Sequence, residues 1–245
     1  MLSRLSIKQK LILIMLIPLT VVILLAAKLA VDSYRTSSNL KSLDKVVVLS
    51  TKIGALVHET QKERGMTAGF LGSSGEKFKD ELPKQRINVD ERLRELNDFL
   101  NSFNKNEYSP EFIENLNSGL EKLKNLSNTR DGVNSFSIKT PLAIGYYTDV
   151  NRLLLNVIGT ITKLSNSANV SQELVSYMNF LLSKERAGIE RAVGTNTFAK
   201  NSFGEGMKAK FYTLVAEQNA YMDSFLKVSS LNMVKFYKNT LQRRI

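Results

Sequence analysis

One stretch of this chain of 245 residues, 32–71, restricts the fold most because it contains no proline. Apolar residues recur along it at intervals of three and four, at Leu40, Leu43, Val47, Ile53 and Val57. That spacing places them on one face of an α-helix and does not suit a strand, whose two faces alternate. The stretch runs into the sequence GSSG, residues 72–75, which is typical of a helix end. It therefore predicts one long helix.

Short turn sequences divide the rest of the chain into further helical segments. The apolar spacing predicts helices over 76–103, 110–129, about 138–168, about 172–194 and about 207–240. Turns are predicted at 129–135 and 194–206, and no segment alternates apolar and polar residues as a strand does. Short loops favour antiparallel neighbours. We therefore predict an all-α fold built of antiparallel up-down helical bundles.

An apolar run precedes the first helix. Residues 11–27 contain no charge over 17 residues, and the run reaches Val31 if Lys28 extends its amine to the interface. The longer run spans roughly 31 Å as a helix, the hydrocarbon thickness of a bilayer. A cleaved signal peptide is the alternative, but its apolar core is shorter and ends in small residues. We expect an uncleaved transmembrane helix over 11–31 that continues into the first helix.

Basic residues lie on the N-terminal side of this run. Arg4, Lys8 and Lys10 precede it, and no acidic residue occurs in the first 31. The positive-inside rule then predicts a cytoplasmic N-terminus over 1–10 and an outer domain over 32–245. Four of the 34 Lys and Arg residues lie in the first 31, so the outer part has 30 against 23 Asp and Glu, a net charge of +7, which attracts anions, although solubility alone would also explain it. An outer domain without interleaved aromatic and basic residues predicts no nucleic-acid partner.

Sequence signatures of catalysis are missing. The chain has no cysteine and a single histidine, His58, which falls on the polar side of the first helix. It has no Walker loop and no dinucleotide fingerprint, and its GSSG sequence ends a helix instead of opening one after a strand. We therefore expect no enzyme, no cofactor and no metal site, and we interpret His58 as a solvated helix residue.

Charged residues nevertheless interrupt two apolar helix faces. Arg64 falls in the middle of the apolar face of the first helix, and Glu185 in the middle of that of the helix over 172–194. Arg186 and Arg191 fall on the two flanks of the second face. Each helix therefore directs an ionisable group toward a shared interior.

These charges allow two interpretations. In the first, Arg64 and Glu185 form a closed structural ion pair, because a buried charge must be matched. In the second, Arg191 or Arg186 adds a second cation, and the pocket binds a small planar oxyanion that suits the forked guanidinium donors. A water-accessible polar pocket beside Arg64 would favour the second interpretation, and a fully packed pair would exclude it.

Two motifs carry a family resemblance. HETQKERGMTAGFL, residues 58–71, resembles the opening motif of the NIT domain, the nitrate- and nitrite-sensing domain of bacterial receptors. KERAGIERA, residues 184–192, is similar to the second motif of that family, and the similarity covers roughly 45–220. Thr60 departs from the pattern, since the family usually has an apolar residue there. The first match continues at Phe78, Leu82, Arg86 and Asp90.

The resemblance implies an all-helical sensor that holds its anion between two arginines, one from each motif. The corresponding residues here are Arg64 and Arg191, and we expect ligand-binding residues at Arg64, Arg191, Glu185 and Arg186. The expected ligand is nitrate or nitrite. The alternative function is a membrane-tethered helical interaction module without a small ligand.

The resemblance also implies a setting for the sensor. We expect a chemoreceptor-type homodimer in the bacterial inner membrane that signals in chemotaxis, with one N-terminal span and most of the chain in the periplasm. Its expected partners are the small anion, the membrane and a second copy, with no nucleic acid. No recognisable output domain follows in the sequence, so we expect a fragment of a longer receptor or a truncated product.

Overall fold

Helices form all the regular structure in the part of the chain that the computed structural model describes, residues 6–163, 167–200 and 202–242. They are α1 (Ile7–Gly72), α2 (Glu81–Asn101), α3 (Pro110–Leu123), α4 (Leu126–Asn134), α5 (Thr140–Ile161), α6 (Ala168–Lys200), α7 (Met207–Val228) and α8 (Leu231–Gln242). A 3-10 turn, Lys105–Glu107, precedes α3. The predicted all-α class is confirmed, and the fold is a helical bundle.

Local signals account for several helix ends. Ser109 caps α3, because its hydroxyl accepts a hydrogen bond from the backbone N–H of Phe112 at 3.3 Å, and Pro110 occupies the first turn. The GSSG sequence ends α1 as predicted, with Gly75 at a φ of +91°, which favours glycine. The next helix, α2, begins at Glu81 and not at 76, which leaves Pro83 in its first turn, where a missing N–H costs nothing.

Other boundaries differ from the prediction because tertiary contacts decide them. The predicted helix over 110–129 breaks at Lys124 and Asn125, and the predicted turn over 129–135 is helix α4 instead. The buried residues of α4 are Leu126, Thr129 and Val133, spaced for one helix face. Helix α6 extends to Lys200, past its predicted end, and the predicted last helix is divided into α7 and α8 at Ser229, whose backbone is extended.

The prediction of a membrane location is overturned. Within the described residues no helix is both long enough and apolar enough to cross a membrane. The uncharged run of 17 residues lies at the lower limit of the length that spans a bilayer, and a longer span would need Lys28 to extend its amine to the interface. The expected inner-membrane span with a periplasmic bulk, and α1 as its continuation, are therefore withdrawn. Arg4, on which the orientation partly rested, lies outside the described residues.

The chain divides into two compact units, Met1–Asp44 and Lys45–Ile245. The first unit contains the N-terminal part of α1, where the side chains of Leu40 and Leu43 lie outside the described residues. In the second unit α5 packs against α3, α4 and α6, and α6 packs along α7. Helix α5 supplies much of the buried core through Ala143, Tyr147, Val150, Leu154, Leu155, Val157, Ile158 and Ile161.

Helix α1 brings its second half against α6. A Cβ added at Gly54 would collide with the hydroxyl of Tyr177 on α6, so the glycine permits the close approach. Further along the same face of α1, Val57, Thr60 and Arg64 are all at most 1% exposed. This contact between α1 and α6 positions the candidate site.

Leu154 tests the role of α5 as the central helix. Its side chain is fully buried, so Leu154→Ala should lower the free energy of unfolding by about 2–5 kcal/mol through lost burial and a residual cavity. Leu142→Ala, the same change at a position of α5 that is 63% exposed, should change it by less than about 0.5 kcal/mol. Urea unfolding of both variants measures the difference, and equal effects would contradict this arrangement of the core.

Candidate functional site

A buried ion pair joins α1 to α6. The Nη1 atom of Arg64 lies 2.5 Å from Oε1 of Glu185, and its Nη2 atom lies 3.4 Å from Oε2. Arg64 is 1% exposed and Glu185 is 3% exposed. Arg64 and Glu185, which the sequence predicted to point into a shared interior, therefore contact each other there. Because both charges are enclosed, the pair is neutral and each partner depends on the other.

Side-chain amides complete the hydrogen bonding of the Glu185 carboxylate. The amide nitrogen of Gln61 donates to Oε2 at 2.6 Å, and that of Asn151 donates to the same oxygen at 3.3 Å. The hydroxyl of Thr60 donates to the amide oxygen of Asn151 at 2.5 Å, which directs the amide nitrogen toward Glu185. The carboxylate is therefore surrounded by donors from α1 and α5.

The guanidinium of Arg64 has a third neighbour. Its Nη1 atom also donates to the hydroxyl oxygen of Thr148 on α5, at 3.0 Å. A Cβ added at Gly188 of α6 would lie 2.8 Å from Nη2, so only glycine leaves room for the guanidinium in its present position. Helices α1, α5 and α6 thus all contact this one side chain.

The described geometry is the packed form of the site. The water-accessible pocket beside Arg64 is not formed, because the Glu185 carboxylate fills the space that faces the guanidinium, so the criterion stated from the sequence favours the closed ion pair in this geometry. An anion would reach Arg64 only if that carboxylate moved. The donors around it are nevertheless those that suit a planar oxyanion, namely a fork of two guanidinium N–H groups and two amides.

The two flanking arginines of α6 have different surroundings. The side chain of Arg191 is exposed. Arg186 has its Nε atom 2.6 Å from Oε2 of Glu217, an ion-pair distance without hydrogen-bond alignment, and its guanidinium lies over the ring of Tyr221. Arg186 is therefore already neutralised by α7, whereas Arg191 faces solvent.

A second buried acid lies next to Arg64 in the sequence. Glu63 is fully buried and accepts two hydrogen bonds from Arg130 of α4, from Nε to Oε1 and from Nη2 to Oε2, both at 2.8 Å. The hydroxyl of Tyr147 donates to the same Oε1 at 2.7 Å. Burial and the Glu63 charge raise the pKa of Tyr147. Burial lowers the pKa of Arg130, but the hydrogen bonds and negative charges of Glu63 and Asp90 have the larger combined effect, so the pKa is raised.

His58 contacts a lysine of α6 at the edge of the site. The Nζ atom of Lys184 lies 2.6 Å from Nδ1 of His58. Burial and the nearby Lys184 charge lower the pKa of His58, and burial lowers that of Lys184. The imidazole is half-exposed, as the sequence predicted, but it is bound to a partner and not merely solvated.

Several site residues were not identified from the sequence. Gln61 and Asn151 are polar residues on faces selected for their apolar members, so a search for charges passes over them. Gly188 could have been found, because the second motif places a glycine three residues after Glu185 on nearly the same helix face. The helical spacing put Glu63 to one side of the buried face of α1, and only the structure shows that α4, with Arg130, packs over this side as well.

Gly188 offers a test of the geometry around Arg64. In Gly188→Ala the new methyl must displace the guanidinium, so the variant should be about 1–3 kcal/mol less stable in urea unfolding. Gly145→Ala on α5 is the control, since nothing lies within 4 Å of a Cβ there, and it should be neutral or slightly stabilising. Equal stability of the two variants would show that Arg64 is not packed against Gly188.

The lowered pKa of His58 predicts a pH effect on stability. His58 is protonated less readily in the folded chain than in the unfolded chain, where its pKa is near 6.5. The stability that neutral His58 gives to the fold is therefore complete above about pH 6.5 and is lost as the pH falls toward the lower pKa of the folded chain. His58→Gln should therefore flatten the fall in melting temperature on acidification below about pH 6.5. An unchanged acid limb in thermal melts followed by circular dichroism would contradict this.

Comparison with known proteins identifies the family. Residues 55–244 match the family model described as nitrate and nitrite sensing, NIT. A nitrate regulatory protein of Klebsiella oxytoca is 27% identical over 177 residues, which cover 72% of this chain and 44% of that protein. The solved structure of the NasR transcription antiterminator superposes with a TM-score of 0.80 at 25% identity, covering 83% of this chain and 55% of the other.

These relatives correct the expected partners and setting. The chain spans about half the length of the relatives that it matches. The structural relative is a transcription antiterminator, so the expectation of partners limited to an anion, a membrane and a second copy, with no nucleic acid, is wrong as stated. Neither relative is a membrane chemoreceptor by name, which also counts against the expected localisation. The family model itself covers more than half of the chain, and the chain therefore belongs to the NIT family of nitrate- and nitrite-sensing domains.

Proposed function

We propose that this chain is a sensor domain that binds nitrate or nitrite at Arg64 and acts by binding and not by catalysis. The observation that carries the proposal is the buried guanidinium of Arg64, whose partner carboxylate also accepts hydrogen bonds from the amides of Gln61 and Asn151, in a domain of the nitrate- and nitrite-sensing family. Nitrate is planar and singly charged, and a guanidinium fork can donate to two of its oxygens at once.

Arg191 is the second arm of the proposed site. It lies three residues after Gly188, about 4.5 Å further along the axis of α6. Side chains of a helix lean toward its N-terminus, so in this proposal the long side chain of Arg191 turns back along α6 toward Gly188 when the anion binds. Arg191 is exposed, whereas Arg186 is occupied by Glu217, which makes Arg191 the better candidate of the two.

The output that we infer is regulatory. The two relatives are a nitrate regulatory protein and a transcription antiterminator, so a response to nitrate that acts on gene expression fits them better than chemotaxis. In this proposal the domain detects the anion, and binding of the anion at Arg64 changes the contacts among α1, α5 and α6.

A second candidate is a helical interaction module without a small ligand. The enclosed pair of Arg64 and Glu185 favours it, because a structural ion pair needs no further partner. Titration calorimetry of the full chain with nitrate, nitrite, chloride and sulfate separates the two candidates. Nitrate or nitrite binding that chloride and sulfate do not reproduce supports the sensor, and no heat with nitrate or nitrite up to millimolar concentration supports the module.

Arginine substitutions test the residues of the site. Arg191→Ala should weaken nitrate binding at least about tenfold, a loss of roughly 1.4 kcal/mol. Arg186→Ala decides between the two flanking cations and should have a much smaller effect. Arg152→Ala on α5, 59% exposed in its side chain, is the control for the loss of a surface charge. If Arg191→Ala binds nitrate as tightly as wild type, Arg191 is not an arm of the site.

Arg64 needs a different test because its removal leaves Glu185 buried without a partner. Arg64→Ala should lose nitrate binding at least about tenfold and also stability, by about 3–5 kcal/mol. Arg64→Lys keeps the charge but not the fork, so it should retain more stability and still bind nitrate more weakly. Calorimetry and thermal melts of both variants give the two quantities separately, and a folded Arg64→Lys with wild-type affinity would argue against the fork.

A further inference from the structure

We propose that Glu185 is a built-in competitor of the anion, and that nitrate or nitrite binds by displacing its carboxylate from Arg64, Gln61 and Asn151. The inference rests on the proposed function and adds two things to it. It names Gln61 and Asn151 as residues that contact the anion and contribute to specificity, and it names the event that accompanies binding.

The first step of the argument is geometric. The carboxylate is itself a planar oxyanion with two oxygens spaced much as two oxygens of nitrate are. Oε1 of Glu185 accepts from Nη1 of Arg64, while Oε2 accepts from the amides of Gln61 and Asn151 and lies 3.4 Å from Nη2. A free anion placed in the position of this carboxylate would find the same donors at the same distances.

The second step concerns charge. Arg64 is a single buried cation, and Glu185 already neutralises it. A second anion placed beside the pair without a second cation would leave an uncompensated negative charge in a buried place, which costs several kcal/mol, and Arg191 is exposed in this geometry and not beside the pair. The carboxylate and the anion therefore exclude each other at Arg64, so binding requires that Glu185 leave the guanidinium.

The third step concerns the orientation of the amides. The Thr60 hydroxyl donates to the amide oxygen of Asn151, so the amide nitrogen is left to face the anion position. Thr60 is fully buried, and its single hydroxyl proton has three possible acceptors, the amide oxygen of Asn151 at 2.5 Å and the backbone carbonyl oxygens of Leu56 and Val57 at 3.0 Å. The contact with Asn151 is the shortest, and because an amide oxygen cannot donate, the proton of Thr60 lies there. Asn151 is thus presented as a donor whichever anion occupies the site.

Displacement has a structural consequence. Gln61 and Arg64 belong to α1 and Asn151 to α5, whereas Glu185 belongs to α6. While Glu185 is the occupant, all three helices are joined through one carboxylate. When a free anion takes its place, α1 and α5 remain joined through that anion, and α6 exchanges its link through Glu185 for one through Arg191, the proposed second arm. The exchange of occupants is therefore a change in helix contacts.

Substitution of Glu185 tests the competition directly on the full chain. Glu185→Gln keeps the shape and removes the charge, so nitrate should bind at least about fivefold more tightly than to wild type in titration calorimetry. Glu63→Gln is the matched control, a fully buried glutamate on α1 that also accepts hydrogen bonds from an arginine but lies outside the site. It should lose stability without a gain in nitrate affinity.

A second variant keeps the test informative if Glu185→Gln folds poorly. Glu185→Ala opens the space of the carboxylate and leaves Arg64 unmatched, so it should melt at a lower temperature than wild type. Nitrate should then raise its melting temperature by more than it raises that of wild type, because the anion occupies the vacated position. Glu63→Ala should show no such extra rise.

The amides are tested separately. Gln61→Met keeps the volume and removes the donor, and it should weaken nitrate binding at least about fivefold in the Glu185→Gln background, where competition is absent. Gln85→Met is its control, since Gln85 is a buried glutamine that donates to Glu59. Equal affinities of the Gln61 and Gln85 variants would remove Gln61 from the site.

The outcomes distinguish this inference from the proposed function. Tighter nitrate binding by Glu185→Gln supports the competition, including the case in which wild type binds too weakly to measure. Equal or weaker binding by the variant, when wild type binds nitrate, overturns the competition and leaves the sensor function standing. No binding by either protein, both folded by circular dichroism, overturns the sensor function and this inference together.

Discussion

The arrangement of α1, α5 and α6 depends on one buried ion pair. Arg64 and Glu185 are almost entirely enclosed, so neither charge is hydrated and each must be matched inside the protein. That requirement fixes the register of α1 against α6, since a shift of either helix by one residue would separate the charges. Gln61, Thr148 and Asn151 then follow as partners of the pair, because its remaining oxygens and N–H groups also need hydrogen bonds.

A second pair beside it fixes α1 in another direction. Glu63 and Arg64 are adjacent in sequence, so their side chains point about 100° apart around α1. Arg64 turns to Glu185 on α6, and Glu63 turns to Arg130 on α4 and to Tyr147 on α5. The second pair also has an additional cation, because the Nε atom of Arg86 on α2 lies 3.6 Å from Oε1 of Glu63. We place the anion at the first pair because Arg64 and Arg191 belong to the two sequence motifs that resemble those of the family.

The sequence predicted those parts of the site that a helical pattern reveals. An arginine and a glutamate in the middle of apolar faces stand out against their neighbours, and the structure brings Arg64 and Glu185 together. Glu63 did not stand out, because its burial results from α4, which the sequence predicted as a turn. Local signals around Gly132 favour a turn, and the contacts of Arg130 and Val133 with the core overcome them.

Thr60 shows how a departure from a family pattern acquires a physical meaning. A purely apolar side chain at this position would fill the core but leave the amide of Asn151 without a fixed orientation. The hydroxyl directs that amide nitrogen toward the carboxylate, so this chain gains one oriented donor at the site. Sequence comparison alone marks the position as unusual, whereas the geometry says what the residue does.

A sensor whose site is already occupied by one of its own side chains responds at a ligand concentration that depends on two affinities. One is the affinity of the site for the ligand, and the other is its affinity for that side chain. A tethered carboxylate competes at an effective concentration that its tether fixes, commonly in the millimolar range for short flexible links and higher for a preorganised side chain. In the proposed competition, the apparent affinity for nitrate is lower than the intrinsic affinity by the factor with which Glu185 holds the site. The proposed competition also links occupancy to structure, because in it nitrate binds only where the carboxylate has left. A ligand that merely joined the pair of Arg64 and Glu185 would stabilise the existing contacts and alter nothing else. A ligand that replaces Glu185 must change the contact of α6 with α1, and this exclusion makes the buried pair suited to sensing.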